Sequence, residues 1–149
     1  MAWPQGAAQA GGMGQARCDR QAALFRSAIY SNGSWWIFCL LQSVDEVNAS
    51  GIPYFLVGHV GDGNFHFGYL IDPDDASERE RAEQLNRQLV ARAIGMGGTC
   101  SGEHGVGLHK MDFLEQEAGE GALDVMRAIK QALDPLNIMN PGKIFRLQG

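Results

Sequence analysis

Long apolar runs are missing from this chain. The longest one near its start, Trp35-Trp36-Ile37-Phe38-Cys39-Leu40-Leu41, is about a third of the ~20 residues that cross a bilayer, so no transmembrane helix is expected. Basic residues are also thin. Twelve Lys and Arg stand against seventeen Asp and Glu, a net charge of −5, and no basic stripe is left to neutralise a phosphate backbone, which argues against a nucleic-acid partner. Cysteine is scarce too. Cys18, Cys39 and Cys100 are odd in number, far apart and without a C-x-x-C pair, which argues against a disulfide framework or a zinc knuckle. A reducing compartment fits: cytoplasmic, or mitochondrial if the source is eukaryotic. The start, Met1 to Gly14, lacks the basic beginning and apolar centre of a secretory signal and is expected to be a disordered or divergent leader.

What is present is one ordinary domain's worth of globular composition, 149 residues with 45% apolar and 19% charged. Residues 1–42 are weakly patterned, with a helix expected around Gln21 to Tyr30 before the Ser31-Asn32-Gly33-Ser34 turn cluster, and are expected to be irregular or loosely packed. Residues 43–149 carry the domain. Ile52 to Val57 reads as a strand, and Phe65 to Ile71 as a second with Phe65, Phe67, Tyr69 and Ile71 alternating on one face, which predicts a hairpin. His66 then points away from that aromatic layer.

After the turn Asp72-Pro73-Asp74-Asp75, Ser77-x-x-Glu80 has capping-box spacing and opens a helix that stops at Gly95. Two more helices are expected over Leu108 to Ala118 and Ala122 to Leu133, the latter ended by Asp134-Pro135. The expected fold is α+β: a small antiparallel sheet covered on one side by the helices from Ser77, Leu108 and Ala122. Its core should be Tyr54, Leu56, Phe67, Leu85, Leu89, Phe113, Leu114, Met126, Ile129 and Leu133.

Of the four histidines, His59, His66 and His104 lie in or beside two glycine-rich loops, and His109 starts a helix. If the hairpin forms, His59 and His66 converge, and Glu103 arrives from the second loop. Two neutral imidazoles and a carboxylate suit Zn²⁺, Mn²⁺ or Fe²⁺ with positions left open, a catalytic type of site. The plainer readings stand beside this one. Each histidine serves equally well as a satisfied structural residue, Gly61-Asp62-Gly63-Asn64 as a tight turn, and His104 and His109 as exposed loop residues. Glycine also permits the backbone to pass close to a planar cofactor. A phosphate cradle is discounted, since no G-x-x-x-x-G-K-[ST] is present and Gly58 to Gly63 precedes a strand.

Three stretches taken together are less anonymous. Gly58-His59-Val60-Gly61-Asp62-Gly63-Asn64-Phe65-His66, then Gly98-Thr99-Cys100-Ser101-Gly102-Glu103-His104-Gly105-Val106-Gly107, then Leu133-Asp134-Pro135 with Met139-Asn140-Pro141-Gly142-Lys143-Ile144-Phe145, resemble in order and spacing the C-terminal part of the FAD-linked oxidases. That family includes D-lactate dehydrogenase, D-2-hydroxyglutarate dehydrogenase and the glycolate oxidase FAD subunit. The resemblance covers roughly residues 43 to 147.

It implies that His59 and His66 are the histidine ligands of a divalent metal, Glu103 the carboxylate ligand and His104 the general base. The metal would bind the 2-hydroxyl and carboxylate oxygens of a small 2-hydroxy acid, and His104 would take the hydroxyl proton while the C2 hydride moves to the flavin. Asn64, Asn140 and Lys143 would lie toward the FAD. The family's separate FAD-binding domain has no counterpart in this length, and the basic residues Arg17, Arg20 and Arg26 match no family motif. The expected function is therefore the substrate- and metal-binding part of an FAD-dependent D-2-hydroxy-acid dehydrogenase, inactive alone. One alternative is a subunit working beside a separate flavin-binding polypeptide. The other is a non-catalytic metal-binding or interaction module whose contact surface is Trp35-Trp36-Ile37-Phe38.

Overall fold

The computed structural model describes residues 21–23, 35–101 and 104–147. The elements follow as β1 (Gln21–Ala23), α1 (Trp35–Ser50), β2 (Tyr54–His59), β3 (Asn64–Ile71), α2 (Ala76–Gly95), α3 (Met111–Ala118) and α4 (Glu120–Leu133). The three strands form one antiparallel sheet in the order β1-β3-β2. The expected α+β hairpin architecture is present.

The core follows from strand alternation. Phe65, Phe67, Tyr69 and Ile71 all project from one face of β3 and are buried, with Phe67 and Tyr69 stacked at 6.1 Å between ring centroids. Burial of each such ring contributes about 1.5–3 kcal/mol. Helices α1 and α2 close over this layer through Cys39 and Val47 on one and Ala82, Leu89 and Ala93 on the other. A polar clamp ties the two helices: Arg92 donates to Ser43 Oγ at 2.7 Å and pairs with Glu46.

Helix α1 departs from the expectation that residues 1 to about 42 are loosely packed. It starts at Trp35, and Cys39 is fully buried. A seven-residue unbroken apolar run hides the helical stripe, Trp36, Leu40, Val44 and Val47, that packs on the core. Its other side leaves Phe38 58% and Leu41 55% exposed. Residues 21–23, where a helix was expected, are a strand paired with Tyr69–Ile71, an edge pairing that local propensity does not reveal. The remainder of that expected helix, the Ser31–Ser34 turn and the leader lie outside the described residues.

Helix α2 begins at Ala76, capped by Asp75, whose Oδ1 accepts from the amides of Ser77 and Glu78 at 2.9 and 3.0 Å. The cap is thus two residues ahead of the Ser77 that the spacing suggested. Helix α3 leans on α2, and α4 leans on α3 rather than on the sheet. The core expectation is corrected accordingly. Leu56, Ile129 and Leu133 are exposed, at 38%, 55% and 77%: α2 packs on β3 rather than on β2, and α4 turns a wide apolar face outward. Phe113, Leu114 and Met126 are half-buried in the α2–α3–α4 layer.

Candidate functional site

The site grows from the turn between β2 and β3. Strand β2 ends on His59, a single 3-10 turn spans Val60–Asp62, and Gly63 at φ +68° returns the chain into β3. Gly58 is required here: a Cβ at that position would stand 2.3 Å from Asn64 O and 2.6 Å from Phe65 Cα. In the resulting register Val57 opposes His66, and His59 opposes Asn64. Opposed residues share a face, so His59, Asn64 and His66 all lie on the face away from the aromatic core. His59 and His66 are diagonal cross-strand neighbours, a relation that spaces residues by about 7–8 Å. His59 is exposed, His66 half-buried and Asn64 buried.

His104 joins them from the second glycine-rich loop. Its ring meets that of His66 edge to face, with centroids 5.3 Å apart. The loop is pinned on both sides. Cys100 N donates to Glu117 Oε2 of α3 at 2.8 Å, and Lys110 Nζ donates to Cys100 O at 2.8 Å. Burial, aided by its hydrogen bond to Glu117, pushes the Cys100 thiol up to about 12. It is a neutral packing group rather than a nucleophile. Further on, Ile144 N donates to Gly107 O at 2.8 Å, tying the C-terminal tail to the same loop.

A cleft of about 710 Å³ opens beside His104 between α2 and the loop, lined by Asn86, Arg87 and Val90 on one wall and His109, Lys110 and Phe113 on the other. His109 is exposed, as its plainer reading had it, but it faces this cleft.

Of the expected metal donors, the described residues supply the imidazole pair His59 and His66 on one face. Glu103 lies outside the described residues, as do Arg17, Arg20 and Arg26. Among the described residues no group of three or more His, Cys, Asp or Glu gathers closely enough to hold a metal. His59 and His66 are of a donor type that a divalent cation takes, and they lie on one face of the sheet. Asn140 and Lys143 sit on the exposed tail, with Lys143 Nζ 3.4 Å from Asn140 Oδ1. The tail that carries them is tied to the second glycine-rich loop by the Ile144–Gly107 bond.

What organises that tail went unread in the sequence. Asp134 is buried and accepts from Ile138 N at 3.0 Å and Met139 N at 2.9 Å while pairing with Lys130, which also bonds Met139 O. The Lys130 ammonium, helped by the two amides, holds the Asp134 carboxyl below its usual range. The sequence signal is Leu133-Asp134-Pro135, which marks a helix stop and part of the family resemblance but does not show that the Asp134 carboxylate holds the turn.

The two histidine-bearing loops and the tail they anchor are the stretches that known proteins share with this chain. A family model described as "FAD linked oxidases, C-terminal domain" matches residues 40–144. The chain belongs to this family. It is 48% identical over 104 residues to the mitochondrial D-lactate dehydrogenase [cytochrome] of Arabidopsis thaliana, covering 70% of this chain and 18% of that protein. It is 49% identical over 108 residues to the probable mitochondrial D-lactate dehydrogenase of Danio rerio, 72% of this chain and 22% of the relative. Glycolate oxidase subunit GlcD of Bacillus subtilis is 40% identical over 107 residues, 71% of this chain and 23% of its own. The chain therefore spans about a fifth of the length of the curated relatives it matches. Among the described residues of this FAD-linked oxidase domain, no helix is long and apolar enough to cross a membrane.

Proposed function

We propose that this chain is the substrate-side part of an FAD-dependent D-2-hydroxy-acid dehydrogenase of the D-lactate type, converting a small 2-hydroxy acid to its 2-oxo acid together with a flavin-holding domain or subunit. The observation that carries the reading is the edge-to-face contact of His66 on β3 with His104 of the glycine-rich loop, on the sheet face that His59 shares. Family membership supports the flavin, and relatives named as D-lactate dehydrogenases support the substrate class.

In this proposal His59, His66 and Glu103 hold a divalent cation, Zn²⁺, Mn²⁺ or Fe²⁺. When bound, the cation supplies Lewis acidity and the flavin supplies the acceptor for the C2 hydride. His59 and His66 bind as neutral imidazoles, and the strand pairing fixes their separation before any ligand arrives. His104 accepts the substrate hydroxyl proton at an imidazole nitrogen as the C2 hydride departs, so proton and hydride leave together and a carbonyl is left. Asn64, Asn140 and Lys143 lie toward the flavin. The eukaryotic relatives above carry mitochondrial names, and a mitochondrial setting belongs to the same proposal; a cytoplasmic one fits the free, buried Cys39 and Cys100 equally.

Calorimetric titration with Zn²⁺ and Mn²⁺ tests the metal assignment. One-to-one binding weakened at least about tenfold by His59→Ala, His66→Ala and Glu103→Gln, and little changed by His104→Ala, is the expected result. Binding that survives all three ligand substitutions sinks it.

A further inference from the structure

Helix α4 wears its apolar side on the outside. Val125, Ala128, Ile129, Ala132 and Leu133 fall at the i, i+3, i+4, i+7, i+8 positions of one stripe, and every one is exposed. The helix's own cations are turned away from this stripe and engaged: Arg127 pairs with Glu120 and Asp124, and Lys130 with Asp134. The stripe continues past the helix end. Leu136, Ile138 and Met139, at 79%, 73% and 62% exposure, stand on the turn that Asp134 rigidifies. A contiguous patch of six large apolar side chains on a preformed, hydrogen-bonded frame is uncommon for a surface meant to face water.

We infer that this face, from Val125 to Met139, is the surface on which the flavin-holding part docks. The inference rests on the proposed dehydrogenase reading and names its partner's footprint. Two observations select this occupant. The family is that of a C-terminal domain of FAD-linked oxidases, and about four fifths of each matched relative lies beyond the segment shared with this chain. The patch also leads directly into the Asn140–Lys143 tail, whose Ile144 is bonded to Gly107, three residues from His104. A body seated on the patch is thereby brought beside the histidines, where a hydride acceptor has to be. A second copy of this chain seated there brings no such acceptor.

The test titrates the full chain with one probe: the flavin-loaded portion of the Danio rerio relative that lies outside the matched segment, followed by flavin fluorescence anisotropy. Ile129→Glu with Leu133→Glu should weaken binding at least about tenfold, as expected for central apolar anchors. Phe38→Glu, which charges an equally exposed apolar residue on α1, should leave binding unchanged. Both positions are exposed, and unaltered far-UV circular dichroism confirms the fold of each variant. Equal affinity of the double variant and the parent chain overturns the footprint. So does sedimentation showing a dimer of the parent chain that the double variant abolishes, which assigns the face to a second copy. Absence of any binding by the parent chain overturns it as well. The metal titration above is independent of the probe, so its success or failure reports separately on the dehydrogenase reading.

Discussion

The imidazoles of His66 and His104 meet edge to face at 5.3 Å although 38 positions separate them in sequence, one on the central strand and the other in a glycine-rich loop. The strand end of this pair is rigid by construction, because β3 is hydrogen-bonded to β2 along its length and its opposite face is the core. At the loop end, tethers among the described residues run through Cys100 and Ile144. The geometry of the site is therefore set by the sheet and adjusted by the loop, a division that places its least stable component at His104.

Removing a loop tether should consequently hurt the site more than the fold. Lys110→Ala frees the Cys100 carbonyl, and Glu117→Ala frees the Cys100 amide, each a partly buried bond whose loss costs about 1 kcal/mol. Urea midpoints should shift modestly, while the chemical shift and line width of the His104 ring protons, followed by NMR, change markedly. Unaltered His104 resonances in both variants would show that the loop is held by something else.

The glycines of the hairpin separate by what their missing Cβ would strike. At Gly58 the obstacles are backbone, Asn64 O at 2.3 Å and Phe65 Cα at 2.6 Å, whereas at Gly68 the obstacle is the Phe55 ring at 2.1 Å, which can swing aside. Gly58→Ala should lose about 1–3 kcal/mol of stability by forcing the strands apart, and Gly68→Ala clearly less. Denaturant unfolding of the two variants checks the order. Gly68→Ala proving the more damaging would mean that the Phe55 lid over the sheet matters more than strand spacing.

Much of this was legible beforehand, and the reasons are particular. Period-two alternation in Phe65, Phe67, Tyr69 and Ile71 names a strand, its buried face and therefore the outward face of His66, because the side-chain period of a strand leaves no freedom. Helix α2 announced itself through its apolar spacing and the Gly95 stop, with only its cap misplaced from Asp75 to Ser77. Helix α1 was not legible, since an unbroken apolar run carries no phase, and the short strand β1 is made by long-range pairing that no local pattern encodes. The expectation that Ile129 and Leu133 are core failed instructively. Their spacing correctly marks an apolar face, but a pattern does not say whether the covering layer is within the same chain. At the site, ligand chemistry and loop composition selected His59, His66 and Glu103, and the family resemblance added His104; the described residues bring His104 to His66, and Glu103 lies outside them. The tethers Glu117, Lys110 and Asp134 were missed because each acts through backbone groups that a sequence does not display.

Alkaline pH should destabilise the chain through a thiol. Burial first, and the hydrogen bond to Glu117 second, raise Cys100 from its ordinary value of 9.0 to about 12. Between those values the unfolded thiol is ionised while the folded one keeps its proton. Unfolding then releases a proton, and stability falls as pH rises from about 9 toward 12. Cys39 is raised in the same direction by burial. Both thiols should resist alkylation by iodoacetamide at pH 8 in the native chain and react on addition of urea. A Cys100→Ser variant should flatten the alkaline decline, read from thermal midpoints between pH 8 and 10; an unchanged slope would mean that other groups cause it.

Acid should act at the opposite end of the molecule. With Lys130 beside it and the Ile138 and Met139 amides donating to it, Asp134 ionises below its ordinary 3.8. A carboxyl depressed in the folded state stabilises it at every pH above the unfolded value, and that contribution is lost as pH falls through the folded one. The turn from Asp134 to Met139 should thus loosen on acidification below about pH 4, and Asp134→Asn should reproduce the loosened turn at neutral pH, since an amide offers one oxygen where the carboxylate satisfies donors with both. Hydrogen exchange at Ile138 and Met139 measures this directly, with faster exchange expected there and little change at Phe67 in the core. The same variant carries a consequence for the apolar face of α4. Leu136, Ile138 and Met139 are displayed by this turn, so if that face receives the flavin-holding part, Asp134→Asn should weaken docking without removing a single apolar contact atom; docking at full strength would mean that the turn's rigidity contributes nothing to it.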